Sequence, residues 1–278
     1  MEIGKPPRAG PLRARPAAGL AVRPAWGAEV VSSNIVGYNK VNLNRGYNML
    51  AVQFQKVGGA AKSIQDVFIG NLPDMEVDGD GFPVWNAKFQ TWNGGGYDDY
   101  FWTGSVGGTL FGDEAYNNVW VIGEYGDGGV ADVSPATGEG IFLWTSGNNV
   151  TVTQSGEVAT NATKEVTLSS GYNLVCNPYP EAITIQDIEF TGLPDMEVDG
   201  DGFPVWNAKF QTWNGGGYDD YFWTGSVGGT LFGDEAYNNV WVIGEYGDGG
   251  IADASVGVGD AFFVWVRSAN NTKIIFTK

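Results

Sequence analysis

The sequence predicts an all-β protein built as two tandem antiparallel β-sandwich-like domains, and three observations carry that prediction. No helix-length window shows a clean 3.6-residue apolar repeat free of Gly or Asn clusters. Short β-branched and aromatic runs are instead separated by Gly, Asn and Asp, and the 43 glycines among 278 residues are about twice the usual frequency of roughly 7%. The chain is also a duplication: Leu72–Gly129 returns letter for letter as Leu193–Gly250. That unit is far longer than solenoid repeats of about 20–50 residues, so each copy is expected to carry its own core. The expected boundaries are a leader at 1–28, a first β domain at 29–156 and a second at 157–278.

In the leader, Lys5, Arg8, Arg13, Arg15 and Arg23 are scattered among prolines and alanines, unlike any later segment. The apolar stretch Ala17–Val22 is short for a secretory signal of roughly 7–15 apolar residues, yet Ala25 to Ala28 offers small residues for cleavage. A secreted or cell-surface protein with an atypical leader is the expectation. The strands of the first copy then follow as Glu29–Val36, Asn39–Leu43, Asn48–Phe54, Gln65–Ile69, Ala87–Trp92, Tyr100–Thr103, Asn118–Ile122, Gly140–Trp144 and Val150–Thr153. Their number, with no crossover helices, favours antiparallel sheets packed face to face. Alternation points Phe89 and Thr91 one way and Lys88, Gln90 and Trp92 the other. Strands such as Tyr100–Trp102 and Val119–Ile122 carry apolar groups on both faces, so they are expected to be covered, by the other copy or by a partner. Asn93-Gly94-Gly95-Gly96, between two aromatic runs, reads as a hairpin loop.

Formal charge is −17 with a pI near 4.2, a field that repels nucleic acid. There is no apolar run long enough to span a membrane. With no histidine and a single cysteine, Cys176, the histidine-activated nucleophile schemes and an intrachain disulfide are excluded. Cys176 lies in an apolar strand and reads as a buried small residue.

Two stretches of the identical block are candidates for chemistry. Asp74, Glu76, Asp78 and Asp80, repeated as Asp195, Glu197, Asp199 and Asp201, fall at alternating positions of a calcium-loop template with Gly79 at the bend. The closing glutamate is replaced by Trp85 and no helices flank the loop, so an acidic, solvated turn is the simpler reading and a partial calcium site the competing one. Beyond it, Trp92, Tyr97 and Trp102 with Asp98 and Asp99, and again Trp213, Tyr218 and Trp223 with Asp219 and Asp220, could form a flat aromatic platform with carboxylates beside it, as a glycan site requires. The competing reading is core and cross-strand packing. A glycosidase would need a convergent carboxylate pair, and Asp98 and Asp99, adjacent on a strand, face opposite ways.

The run GYNLVCNPYP at Gly171–Pro180, with Gly259-Asp260-Ala261-Phe262-Phe263-Val264-Trp265 downstream, resembles tandem β-rich modules of secreted or cell-envelope bacterial proteins, in which a GYNLVxNPYP-type strand opens the module and a GxGFFV-type strand comes near its end. Copy one keeps the second motif through Gly138, Gly140, Ile141 and Phe142 but has Ala51-Val52-Gln53-Phe54 in place of the Asn-Pro segment. The resemblance implies a non-catalytic structural or surface role and carries no catalytic residues. No cofactor is expected unless calcium occupies the acidic loops, and the expected partners are other surface proteins, further copies of the chain, or glycans.

Overall fold

The structure, a computed structural model, describes residues 36–278. The expected leader, and most of the expected strand Glu29–Val36, lie outside the described residues. The described chain is all-β with small antiparallel sheets and belongs to one compact unit.

Copy one contributes a five-stranded sheet in the order Gly46–Ala51, Gly140–Thr145, Ala87–Trp92, Tyr97–Trp102, Trp120–Ile122. It also contributes a smaller sheet, in which Val150–Val158 pairs with Val36–Leu43, Phe54–Gln55 and Ile69–Gly70. Copy two repeats the five-stranded sheet as Gly171–Cys176, Ala261–Val266, Ala208–Trp213, Tyr218–Trp223, Trp241–Ile243. Its smaller sheet has three strands, Thr163–Thr167, Lys273–Thr277 and Glu189–Thr191.

Period-2 alternation explains how the sheets find each other. Along Val150–Val158 the residues Val150, Val152 and Gln154 are buried while Thr151 and Thr153 are half-exposed. The buried row meets Phe89, Ile141 and Leu143 of the five-stranded sheet in one apolar cluster. Copy two builds the same cluster from Ile274 and Phe276 against Phe210, Phe262 and Val264. Phe89 and Phe210 are fully buried, a contribution of about 1.5–3 kcal/mol each. A third cluster, with Met49, Ala51 and Phe142 from copy one and Leu174, Cys176, Ala261 and Phe263 from copy two, joins the two five-stranded sheets.

Because packing continues from one copy into the next, the sheets read as a four-blade, propeller-like arrangement rather than the two sandwiches expected from sequence. The expectation fails at the face of each five-stranded sheet that an isolated sandwich would leave to solvent. There Phe, Trp and Tyr stand among a few polar side chains, and the other copy covers part of them.

The strand expectations hold at Ala87–Trp92 and, within a residue or a few, at Val36–Leu43, Tyr97–Trp102, Trp120–Ile122 and Gly140–Thr145. Gln65–Ile69 is different: Ile64–Val67 is a single helical turn, and only Ile69–Gly70 pairs as strand. Ser63 caps the turn by accepting from the Gln65 N–H, and Ile64 and Val67 are both buried, the i, i+3 spacing of one helical face. Gln65 itself bridges backbone: its Nε2 donates to the carbonyls of Trp120 (3.1 Å) and Ala131 (3.0 Å), and its Oε1 accepts from the Trp120 N–H. The acidic stretch folds as a small hairpin, Glu76–Val77 against Pro83–Val84. Asn93 closes the glycine loop as expected, its Oδ1 accepting from the N–H groups of Gly95 and Gly96 while Gly94 takes φ +93°.

Candidate functional site

Strand register sets out the outer face of each five-stranded sheet as rows of side chains. In copy one, Trp144 lies opposite both Tyr47 and Lys88, and Lys88 opposite Phe101. The next row is Met49, Phe142, Gln90 and Asp99, and the next pairs Trp92 with Tyr97. Copy two has Tyr172, Trp265, Lys209 and Phe222, then Leu174, Phe263, Gln211 and Asp220, then Trp213 with Tyr218.

The second and third rows of the two copies meet in an aromatic seam with an approximate two-fold. Phe142 and Phe263 lie 6.2 Å apart at its centre. Trp92 reaches Phe263 at 5.5 Å and Trp213 reaches Phe142 at 5.9 Å. Tyr97 packs on Phe142 at 5.6 Å and Tyr218 on Phe263 at 5.8 Å. Most of these contacts are edge-to-face, the geometry that ring quadrupoles favour. The indole N–H groups cross over: Trp92 Nε1 donates to the Tyr172 carbonyl at 2.8 Å, and Trp213 Nε1 to the Tyr47 carbonyl at 3.1 Å. Backbone closes the seam as well, through Ala51 N–H to Gly259 O (2.8 Å) and Cys176 N–H to Gly138 O (2.9 Å).

A cleft of about 270 Å³ opens on the seam, lined by Tyr47, Gln90, Tyr97, Phe142, Trp213 and Tyr218. Burial raises the Tyr97 phenol well above its ordinary value, and the neighbouring Tyr218 adds to the effect. Burial raises Tyr218 too. Cys176 is enclosed in the same seam, and burial pushes its thiol up to about 12, leaving it an uncharged packing group.

The expected platform rings are therefore divided. Trp92 and Tyr97, with Trp213 and Tyr218, form the seam, whereas Trp102 and Trp223 lie on the opposite sheet face, packed on Trp120 and Trp241 at 5.3 Å in each copy. The carboxylates separate in the same way. Asp99 accepts from Gln90 Nε2 (2.5 Å) and pairs with Lys88 (3.4 Å), while Asp98 faces away and accepts from Asn93 Nδ2 (2.9 Å). Asp220 with Gln211 and Lys209, and Asp219 with Asn214, repeat this.

Asp74, Glu76 and Asp78 each have a local partner. Asp74 accepts from the Ser105 hydroxyl and lies against Gly104, where φ is +59° and an added Cβ would stand 2.1 Å from its Oδ1. Glu76 accepts from Asn86 Nδ2 at 3.4 Å, and Asp78 Oδ1 takes the N–H groups of Asp80 (3.0 Å) and Phe82 (2.8 Å) across the hairpin turn. Asp80 is exposed at the tip. Asp195, Glu197, Asp199 and Asp201 repeat this arrangement. Among the described residues, no group of three or more acidic or other ligating side chains comes together in a geometry suited to a metal ion.

Sequence reasoning missed Tyr47, Phe142, Tyr172 and Phe263 as members of the site. A signal existed: these four, with Trp144 and Trp265, keep their identity in flanks where neighbouring buried positions have changed, Met49 to Leu174, Leu50 to Val175, Ile141 to Phe262 and Leu143 to Val264. Comparison with protein-family models, with curated proteins and with solved structures returned no match.

Proposed function

We propose that the protein is a non-catalytic structural component of a bacterial envelope or exterior, its two copies fused into one stiff block. The observation that carries this reading is the seam. The large aromatic rings and carboxylates that a catalytic or ligand-processing site would draw on are engaged in ring packing, indole-to-carbonyl hydrogen bonds and turn capping. Such an arrangement favours rigidity over turnover, since no carboxylate pair of the opening candidates converges on the seam cleft. The strong negative charge and scarcity of lysine suit a surface exposed to water and small cations rather than a polyanion.

Two measurements test the reading. An epitope-tagged chain expressed in a bacterial host with its native leader is expected to be shaved from intact cells by added protease; a tag protected until lysis overturns the surface placement. Purified protein is expected to leave chromogenic glycosides and peptide esters unhydrolysed, and turnover abolished by Asp99→Asn would overturn the non-catalytic half.

A further inference from the structure

We propose that the outermost row of each five-stranded sheet is a glycan-binding site, so that the block holds one neutral polysaccharide chain at two equivalent places. In copy two the site is a cavity of about 420 Å³ lined by Tyr172, Trp206, Lys209, Phe222 and Trp265, within the range of roughly 300–1,000 Å³ usual for small-molecule sites. In copy one, register places Tyr47, Lys88, Phe101 and Trp144 together, and Trp85 packs 5.0 Å from Phe101. Tyr172 and Tyr47 border the seam, packing on Phe263 at 5.7 Å and Phe142 at 6.0 Å, while Trp265 and Trp144 stand in the row outside it.

The walls are fixed before any ligand arrives. Trp206 Nε1 donates to the Glu245 carbonyl at 2.7 Å and its ring lies 5.0 Å from Phe222 at an interplanar angle of 32°. Trp85 does the same with Glu124 (2.7 Å) and Phe101 (5.0 Å, 33°). An indole held by its N–H and backed by a second ring presents a stationary apolar face, which lowers the entropy cost of stacking a sugar ring on it. Beside it, Lys209 lines the cavity and, with the half-exposed Asp220 3.5 Å away, supplies a donor and an acceptor for hydroxyls.

The chemistry narrows the ligand class. An anionic glycan meets a chain of net charge −17 and the Asp220 carboxylate. A quaternary ammonium ion, the usual guest of an aromatic cage, meets a cation already in place, because Lys209 Nζ sits 5.7 Å from the Tyr172 ring centroid and Lys88 Nζ 5.6 Å from that of Tyr47. A neutral pyranose has apolar C–H faces for the rings and hydroxyls for the Lys209–Asp220 pair, and carries no charge to repel. The duplication gives both copies the same wall: Tyr47 and Tyr172, Trp144 and Trp265, and the buried Phe142 and Phe263 on which the two tyrosines pack are unchanged between copies.

The test is native-gel affinity electrophoresis of the full chain in gels containing mixed-linkage β-glucan, galactomannan or xyloglucan, with choline chloride titrated separately against tryptophan fluorescence. Retardation by at least one polymer is expected. Removing one site with Trp265→Ala should weaken polymer association by about a hundredfold, the loss of a second tethered contact, and Trp144→Ala with Trp265→Ala should abolish it, at unchanged far-ultraviolet circular dichroism. Should the double variant misfold, Lys209→Met with Lys88→Met, which leaves every ring in place, is expected to reduce retardation at unchanged far-ultraviolet circular dichroism. Migration unaffected by all three polymers, retardation that survives the ring or lysine variants, or saturable choline binding would each overturn the proposal. None of these results would disturb the surface scaffold reading, which rests on cell placement and the seam.

Discussion

Copy one and copy two differ most where they are least alike in sequence and agree to a tenth of an ångström where they are identical. The Trp85 and Trp206 indoles each donate over 2.7 Å, and their backing rings lie 5.0 Å away in both. The smaller sheets diverge: copy one uses the nine-residue strand Val150–Val158, whereas copy two uses Lys273–Thr277 and fills the space beside Asn177 and Pro178 with a buried Tyr179. Between these extremes sits an instructive case. Gln65 lies on a helical turn and Gln186 on a plain turn, yet Gln186 also bonds the carbonyls of Trp241 (2.9 Å) and Ala252 (3.0 Å). What has been kept is the clamp on the edge-strand backbone, not the secondary structure that presents it.

The seam is where this comparison breaks most readily. Phe142 touches rings from both copies, so Phe142→Ala is expected to cost about 3–5 kcal/mol in urea unfolding, with Phe263→Ala close to it across the approximate two-fold. Gly140→Ala comes next. Its added Cβ would stand 2.7 Å from the Ala261 Cβ and 2.8 Å from Leu174, an overpacking penalty of about 1–3 kcal/mol. Ala261→Gly in the same chain is expected to recover part of it, whereas an additive result would place the strain elsewhere. Trp92→Phe and Trp213→Phe each remove one indole hydrogen bond, with expected losses of about 0.5–1.5 kcal/mol. A large inequality between the pair would show that the copies do not share the load.

Alkaline titration probes the same rings more gently. The phenols of Tyr97 and Tyr218 are raised in the folded state, so the unfolded chain loses those protons first. Their contribution is present below the ordinary tyrosine value of about 10 and fades as pH rises above it toward the folded values. Melting temperature should therefore fall above that pH, and tyrosinate absorbance should show three phenols titrating late, those two and Tyr179, which burial also raises. The smallest effect belongs to Lys88→Met, which deletes a half-exposed ion pair; its stability cost is expected below about 1 kcal/mol.

Much of the local structure was legible. Alternation in Ala87–Trp92 placed Phe89 opposite Trp92, and the hairpin loop at Asn93 was marked by its glycines, because both signals are confined to a few adjacent residues. Gln65–Ile69 was misread because an isolated helical turn leaves only two buried positions, Ile64 and Val67, too few to show a period. The division of Trp92 and Tyr97 from Trp102 follows from strand parity and was available in principle. That Trp92 would spend its N–H on Tyr172 was not, since the contact joins residues of different copies and no local pattern encodes it.

Gly140 and Ala261 carry one more implication. The join tolerates a methyl on one side only, so the tandem has acquired a direction: a first half matched to a second half, and no longer two interchangeable ones. Two second halves brought together in the same way would set Ala against Ala, which discourages loose second halves from pairing among themselves.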